Sequence, residues 1–204
     1  MEVMPFFFLW CFLAILVDAT PGEIRIDEEQ NYWQYQDINR TLNNPDRDSW
    51  LYYRTYTRDD ACVYVKVSKK QPNGSDYEFV QEYRLGTTEN STKTTGRFYA
   101  TPYKTEMHAT ERQNNNAMRT SPYKDAASGK RFQLIYTDSD KCDILRVLDV
   151  DNGHACELYL HENAVEDGVP LNCKTVYGNA CGKGDSSYTQ QVYHPWCKKN
   201  VKAQ

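Results

Sequence analysis

Two acids and a group of aromatic residues carry the chemistry legible in this chain. In Cys156-Glu157-Leu158-Tyr159 the acid and the tyrosine stand two apart, so an alternating strand sends both to one face and Leu158 to the other. Asp143 follows Cys142 in a second segment of the same kind. A carboxylate facing a closed interior is costly to desolvate unless a cation meets it, so an inward Asp143 or Glu157 favours a protonated amine over a neutral molecule. Tyr159, Tyr52 and Tyr56 supply ring faces, each worth roughly 0.5–2 kcal/mol to a cation. Trp50 heads the segment that holds the last two, and Trp50 and Tyr52 enter the candidate set as cavity wall rather than as direct ligand contacts. On the residues alone the plainer reading puts Asp143 on a solvated hairpin rim and pairs Glu157 with a surface lysine, because unpaired acids are seldom buried.

No motif of catalysis accompanies these groups. The sequence has no G-x-S-x-G, no Walker loop and no G-x-G-x-x-G. His161-Glu162 lacks the second histidine of a zincin. Asp149-Val-Asp151-Asn-Gly153 does not make a calcium loop, because His154 and Leu160 stand where glycine and glutamate are needed. The chain therefore reads as a binding protein and not an enzyme, with no cofactor and no metal.

The elements that must position these side chains are mostly strands. Trp50–Thr57 is rich in aromatic and β-branched residues and Cys62–Ser68 alternates. Further strands are expected at Tyr77–Leu85, Arg97–Tyr103, Glu106–Glu111, Ala117–Tyr123, Arg131–Thr137, Cys142–Val150 and Cys156–His161, the last two joined by the turn signal Asp151-Asn152-Gly153. Tyr32, Tyr35, Ile38 and Leu42 follow helical spacing behind three acids, which predicts one short amphipathic helix over Asp27–Leu42. A second helix is expected after Gly168, with Pro170 in its first turn, Cys173 and Tyr177 on one face, and Gly178 or Gly182 ending it. Short strands without long helices between them indicate an antiparallel all-β domain, either a closed barrel or a sandwich. The 16 tyrosines of 204 residues suit a hollow barrel, whose wall gains hydroxyls and ring faces.

The chain's ends and cysteines indicate its compartment. Met1–Val17 is an apolar block too short for a membrane span, and it reads as a secretory signal peptide over residues 1–19, leaving residues 20–204 as one domain with no membrane span. Cys11 leaves with the signal, and Cys62, Cys142, Cys156, Cys173, Cys181 and Cys197 remain, an even set that suits three disulfides in an extracellular protein. Zinc is the poorer reading, since there is no C-x-x-C pair. Sequons at Asn39, Asn73 and Asn90 agree with secretion. With 24 basic against 28 acidic residues and no basic run, neither nucleic acid nor an anionic membrane is expected as the main partner.

Cys142-Asp143-Ile144, then 12 residues, Glu157-Leu158-Tyr159, then 13 residues, and Cys173 resembles the amine-binding signature of tick salivary lipocalins. Tyr35-Gln36-Asp37, Tyr52-Tyr53, Cys62 and Cys197 fall in the same order as in that family. The resemblance implies an eight-stranded antiparallel lipocalin barrel, with a short N-terminal helix and a C-terminal helix packed outside, that holds one or two small amines. It implies the pairs Cys142–Cys173 and Cys62–Cys197, which leave Cys156 for Cys181. It also reverses the plainer reading of the two acids, turning Asp143, Glu157, Tyr159, Tyr52, Tyr56 and Trp50 into ligand-site residues. The function implied is sequestration of a host amine, histamine or serotonin, by a secreted salivary protein that blunts inflammation and host defence.

Some positions depart from the family. Ile38 stands where relatives often carry Trp, Asp48-Ser49-Trp50 replaces the general Gly-x-Trp, and the short stretch from Tyr53 to Cys62 leaves only Asp59 or Asp60 to supply a further acid. Two other readings compete. A lipid mediator such as a leukotriene or fatty acid would need a basic anchor, for which Arg54, Arg58, Lys66 and Arg97 are candidates. A protein-binding module would act through its outer loops on complement or cell-surface partners.

Overall fold

The computed structural model describes residues 25–44, 48–70, 76–182 and 189–199. The expected signal segment 1–19 and the Asn73 sequon lie outside the described residues.

Eight strands run up and down in chain order: β1 (Asp48–Arg54), β2 (Asp60–Lys70), β3 (Tyr77–Leu85), β4 (Thr92–Tyr103), β5 (Ala117–Ser121), β6 (Lys130–Thr137), β7 (Cys142–Val147) and β8 (Ala155–His161). Each pairs antiparallel with the next, and β1 pairs with both β2 and β8, so the sheet closes into an eight-stranded antiparallel barrel. Closure leaves the wall without a free edge. A two-residue strand, β9 (Gln190–Gln191), adds to the end of β1. Outside the sheet lie α1 (Ile38–Asn43), α2 (Leu171–Cys181) and α3 (Trp196–Lys199).

Two apolar clusters follow from the alternation of the strands. Leu51, Val63, Phe79, Phe132, Leu134 and Leu145 point into the lumen, and Ile38 and Leu42 of α1 join them from below. Trp50, Ile144, Leu158 and Leu160 point outward and are covered by Tyr177 of α2, Tyr193 and the cystines. Cys142–Cys173 and Cys156–Cys181 pin α2 against β7 and β8, while Cys62–Cys197 ties the C-terminal segment to β2. This is the pairing that the family resemblance implies.

Two expected elements differ. The single helix over Asp27–Leu42 is instead a 3-10 turn, Gln30–Tyr35, followed by α1. The break falls at Asp37, whose extended backbone lets its carboxylate cap α1 by accepting from the Arg40 amide at 3.1 Å. Gln36 is thereby turned inward, donating to the Ile135 carbonyl at 3.1 Å and accepting from Arg112 at 2.9 Å. The expected strand Glu106–Glu111 is a run of turns with His108 at φ 60°. Arg112 accounts for it: the guanidinium lies 4.6 Å over the Trp33 ring and donates to the Asp27 carbonyl at 3.0 Å, drawing the connection under the barrel. β4 is longer than the expected Arg97–Tyr103: it starts at Thr92 and pairs along the whole of β3. Cys173 and Tyr177 are the buried residues of α2 and Gly182, at φ 112°, ends it as expected, while Pro170 stands one residue earlier than expected, as the N-cap with an extended backbone (ψ 149°) rather than in the first turn.

Candidate functional site

The lumen encloses about 430 Å³. Thr41 and Leu42 of α1 form its floor. Its walls are mainly apolar, from Leu51 on β1, Val63, Val65 and Val67 on β2, Phe79, Phe98, Met118, Phe132 and Leu145. At the opposite rim stand Arg58 from the β1–β2 connection, Pro122 and Gly129 from the β5–β6 connection, and Lys130, the first residue of β6.

Glu157 is the central polar group of this lumen and is only 2% exposed. One carboxylate oxygen accepts from the Tyr56 hydroxyl and lies 3.3 Å from Lys130 Nζ; the other accepts from the Tyr159 hydroxyl at 2.8 Å. Lys130 Nζ is also 3.3 Å from the Tyr56 oxygen and sits 4.8 Å over the Phe132 ring and 5.6 Å over the Tyr56 ring. Burial first, and then the Glu157 charge, push the Tyr56 and Tyr159 phenols well above their usual range, so both remain donors.

A second acid lies nearer the floor. Asp143 is opposite Tyr159 in the β7–β8 register and lines the lumen with Ser49. Its Oδ2 is 3.1 Å from His161 Nε2, and His161 Nδ1 meets the Asp140 carbonyl at 2.7 Å. Among the described residues the buried Thr41 hydroxyl has no hydrogen-bond partner.

Asp60 also reaches the lumen but is held by arginines. Arg54, fully buried, meets it at 2.6 Å, and Arg58 lies 3.4 Å from its other oxygen. Arg54 further donates to the Arg58 carbonyl at 2.7 Å and to Gln190 at 2.7 Å, which makes it a brace between β1, the β1–β2 connection and β9. Asp59 is exposed.

Of the residues singled out in the sequence, Asp143, Glu157 and Tyr159 line the lumen, and Tyr56 reaches it through Glu157. Trp50 and Tyr52 do not. Ser49 and Leu51 take the inward positions of β1, and a register shift between Leu51 and Tyr53 brings Arg54 inward, so Trp50 and Tyr52 belong to the outer cluster. There Trp50 packs 4.8 Å from Tyr64 and donates to Glu162, while Tyr52 stacks 5.7 Å from Tyr193. Of the basic candidates, Arg54 and Arg58 line the lumen; Lys66 and Arg97 are outside, paired with Asp48 and Glu78, each at 3.0 Å. Asn39 lies half-buried on α1 and Asn90 is exposed in the β3–β4 connection. Lys130 was not among the candidates, although it stands two residues before the inward Phe132 and so shares its face.

An up-and-down eight-stranded barrel, floored by a short helix and clamped by a second helix outside, defines a lipocalin-like protein. The family model described as tick histamine binding protein matches residues 26–199, and the chain belongs to that family. Among solved structures it is similar to AM182 in complex with serotonin, at 17% identity and TM-score 0.56, over 78% of this chain and 91% of that one. Japanin from Rhipicephalus appendiculatus bound to cholesterol is similar at 14% identity and TM-score 0.52, over 73% and 93%. Apocrustacyanin C2 is similar at 15% identity and TM-score 0.52, over 89% and 94%. These likenesses concern the fold. No curated protein sequence matches the chain.

Proposed function

We propose that this protein is a secreted barrel that captures a small ring-bearing amine, histamine or serotonin, and holds it without turnover. The observation that carries the reading is Glu157, a buried carboxylate set between two phenols inside an apolar lumen. A protonated amine offers that carboxylate the charge that an apolar wall cannot, and its ring suits the walls formed by Phe98, Phe132 and Met118. Membership of the histamine-binding family and the serotonin held by AM182 support the same ligand class. Three disulfides suit an oxidising, extracellular compartment. Capture in a host would act by stoichiometry, lowering free mediator below what its receptors need and so blunting inflammation. Calorimetric titration with histamine and serotonin tests this: saturable submicromolar binding that Glu157→Ala weakens more than tenfold is expected, and an unchanged affinity in that variant would overturn the role of Glu157.

A lipid ligand is the second reading, favoured by Arg58 and Lys130 standing at the rim above apolar walls, and japanin's cholesterol agrees with such a cargo. Titration with leukotriene C4 in parallel separates the two. Binding of the leukotriene with no amine binding would replace the first reading by the second.

A further inference from the structure

The Glu157 seat is already filled by a cation belonging to the chain itself. Lys130 Nζ has a carboxylate oxygen at 3.3 Å, a phenol oxygen at 3.3 Å and two aromatic faces within 6 Å, which is the full set of partners that an ammonium ligand would seek there. We infer that Lys130 is a tethered amine, which occupies the ligand's ammonium position and must swing out before a ligand amine can bind. The inference rests on the amine reading given above and adds the residue that limits affinity.

The two partners are unequal in their freedom to leave. The Glu157 side chain is 3% exposed and held by two tyrosine hydroxyls, whereas the Lys130 side chain is 32% exposed. Lys130 begins β6, and its root is fixed: a Cβ on the preceding Gly129 would lie 2.3 Å from the Thr120 carbonyl oxygen, so the backbone runs tight against β5 there. Beyond that root the side chain is a flexible four-carbon stem that can carry its charge to water at the rim. Among the described residues its hydrogen bonds go to Glu157 and Tyr56, the site's own groups. Arg54 shows what a structural cation looks like in the same lumen: fully buried, it is bound through all three nitrogens to Asp60, Gln190 and backbone carbonyls. Only the lysine half of the pair reaches water, so an incoming ammonium can replace it at Glu157 without leaving the buried carboxylate uncompensated.

Removing the lysine should therefore strengthen amine binding. With histamine as the probe, Lys130→Met should bind about tenfold tighter than the wild type, and Lys130→Arg, which keeps a cation on the stem, should stay near it. Unchanged or weaker histamine binding by Lys130→Met, in a wild type that does bind, would overturn the inference while leaving the amine reading intact. Binding by Lys130→Met alone would support it and show that the native seat is shut. Binding by neither protein would overturn both. A measurement without ligand guards against a variant that fails to fold. In brief acetylation of the full chain followed by mass spectrometry, Lys130 should be modified more slowly than Lys66 and Lys93, and faster in Glu157→Gln. Equal rates at the three lysines of the wild type would overturn the inference.

Discussion

Tyr159 and Glu157, neighbours on one face of β8, are joined inside the lumen by a 2.8 Å hydrogen bond from the phenol to the carboxylate. The bond makes a single polar unit of two residues that alternation alone would only place side by side. Tyr56 completes the unit from two residues beyond the end of β1. Its chemistry is acid-centred, with donors already turned toward the charge.

That arrangement sets the first expectation. Glu157→Gln keeps the volume but removes the charge, so the ammonium of a bound amine loses its counter-ion. Histamine affinity should fall more than tenfold, or at least about 1.4 kcal/mol. Calorimetry reads it directly, and retained affinity would move the ammonium site to Asp143.

Alkaline pH should destabilise the fold. Burial raises the Tyr56, Tyr159 and Tyr177 phenols above the usual value of 10.0, with Glu157 adding to it, and Tyr64 is raised by burial and Asp48. A raised phenol stays protonated in the folded chain while the unfolded chain ionises, so its contribution is fully present below pH 10 and is lost as pH rises above it. Absorbance at 295 nm should show a class of phenols that ionises only together with unfolding. Reversible titration of every tyrosine near pH 10 would contradict this.

The three cystines should differ in worth. Cys62–Cys197 closes 135 residues of chain and Cys156–Cys181 closes 25. Chain-entropy arguments give about 5 and about 3.5 kcal/mol. Urea unfolding of the two double-serine variants should rank Cys62→Ser/Cys197→Ser as the less stable. The opposite order would assign the effect to native contacts around α2.

Trp50 provides a negative control for the site. Because it packs in the outer cluster and donates to Glu162, Trp50→Phe should cost about 1 kcal/mol of stability and leave amine affinity within twofold. A large loss of affinity would mean that the ligand reaches the outer wall.

Strand alternation and turn residues made most of the barrel legible in the sequence. Val63, Val65 and Val67 alternate in the chain and line the lumen together, and Asp151-Asn152-Gly153 turns β7 into β8 through three left-handed residues. The pattern of Glu106–Glu111 suits a strand because those residues carry no signal of Arg112, whose cation needs Trp33 and Asp27 from a remote segment. Over Asp27–Leu42 the periodicity is that of one continuous helix because it does not register a polar residue turning inward, as Gln36 does to meet Arg112 and Ile135.

The sequence alone defines the strand faces, because a period of two is local: it puts Glu157 beside Tyr159 and opposite in sense to Leu158. It also determined the family, because the spaced cysteines and acids are read without coordinates. Which of the two faces is lumen depends on how the sheet closes. Closure turned Ser49 and Leu51 inward, which left the alternate residues Trp50 and Tyr52 in the outer wall, and the register shift after Leu51 brought Arg54 inward. Only barrel closure brought Lys130 from the start of β6 and Tyr56 from beyond β1 onto one carboxylate of β8, since contacts between distant segments depend on register and curvature that no local pattern encodes.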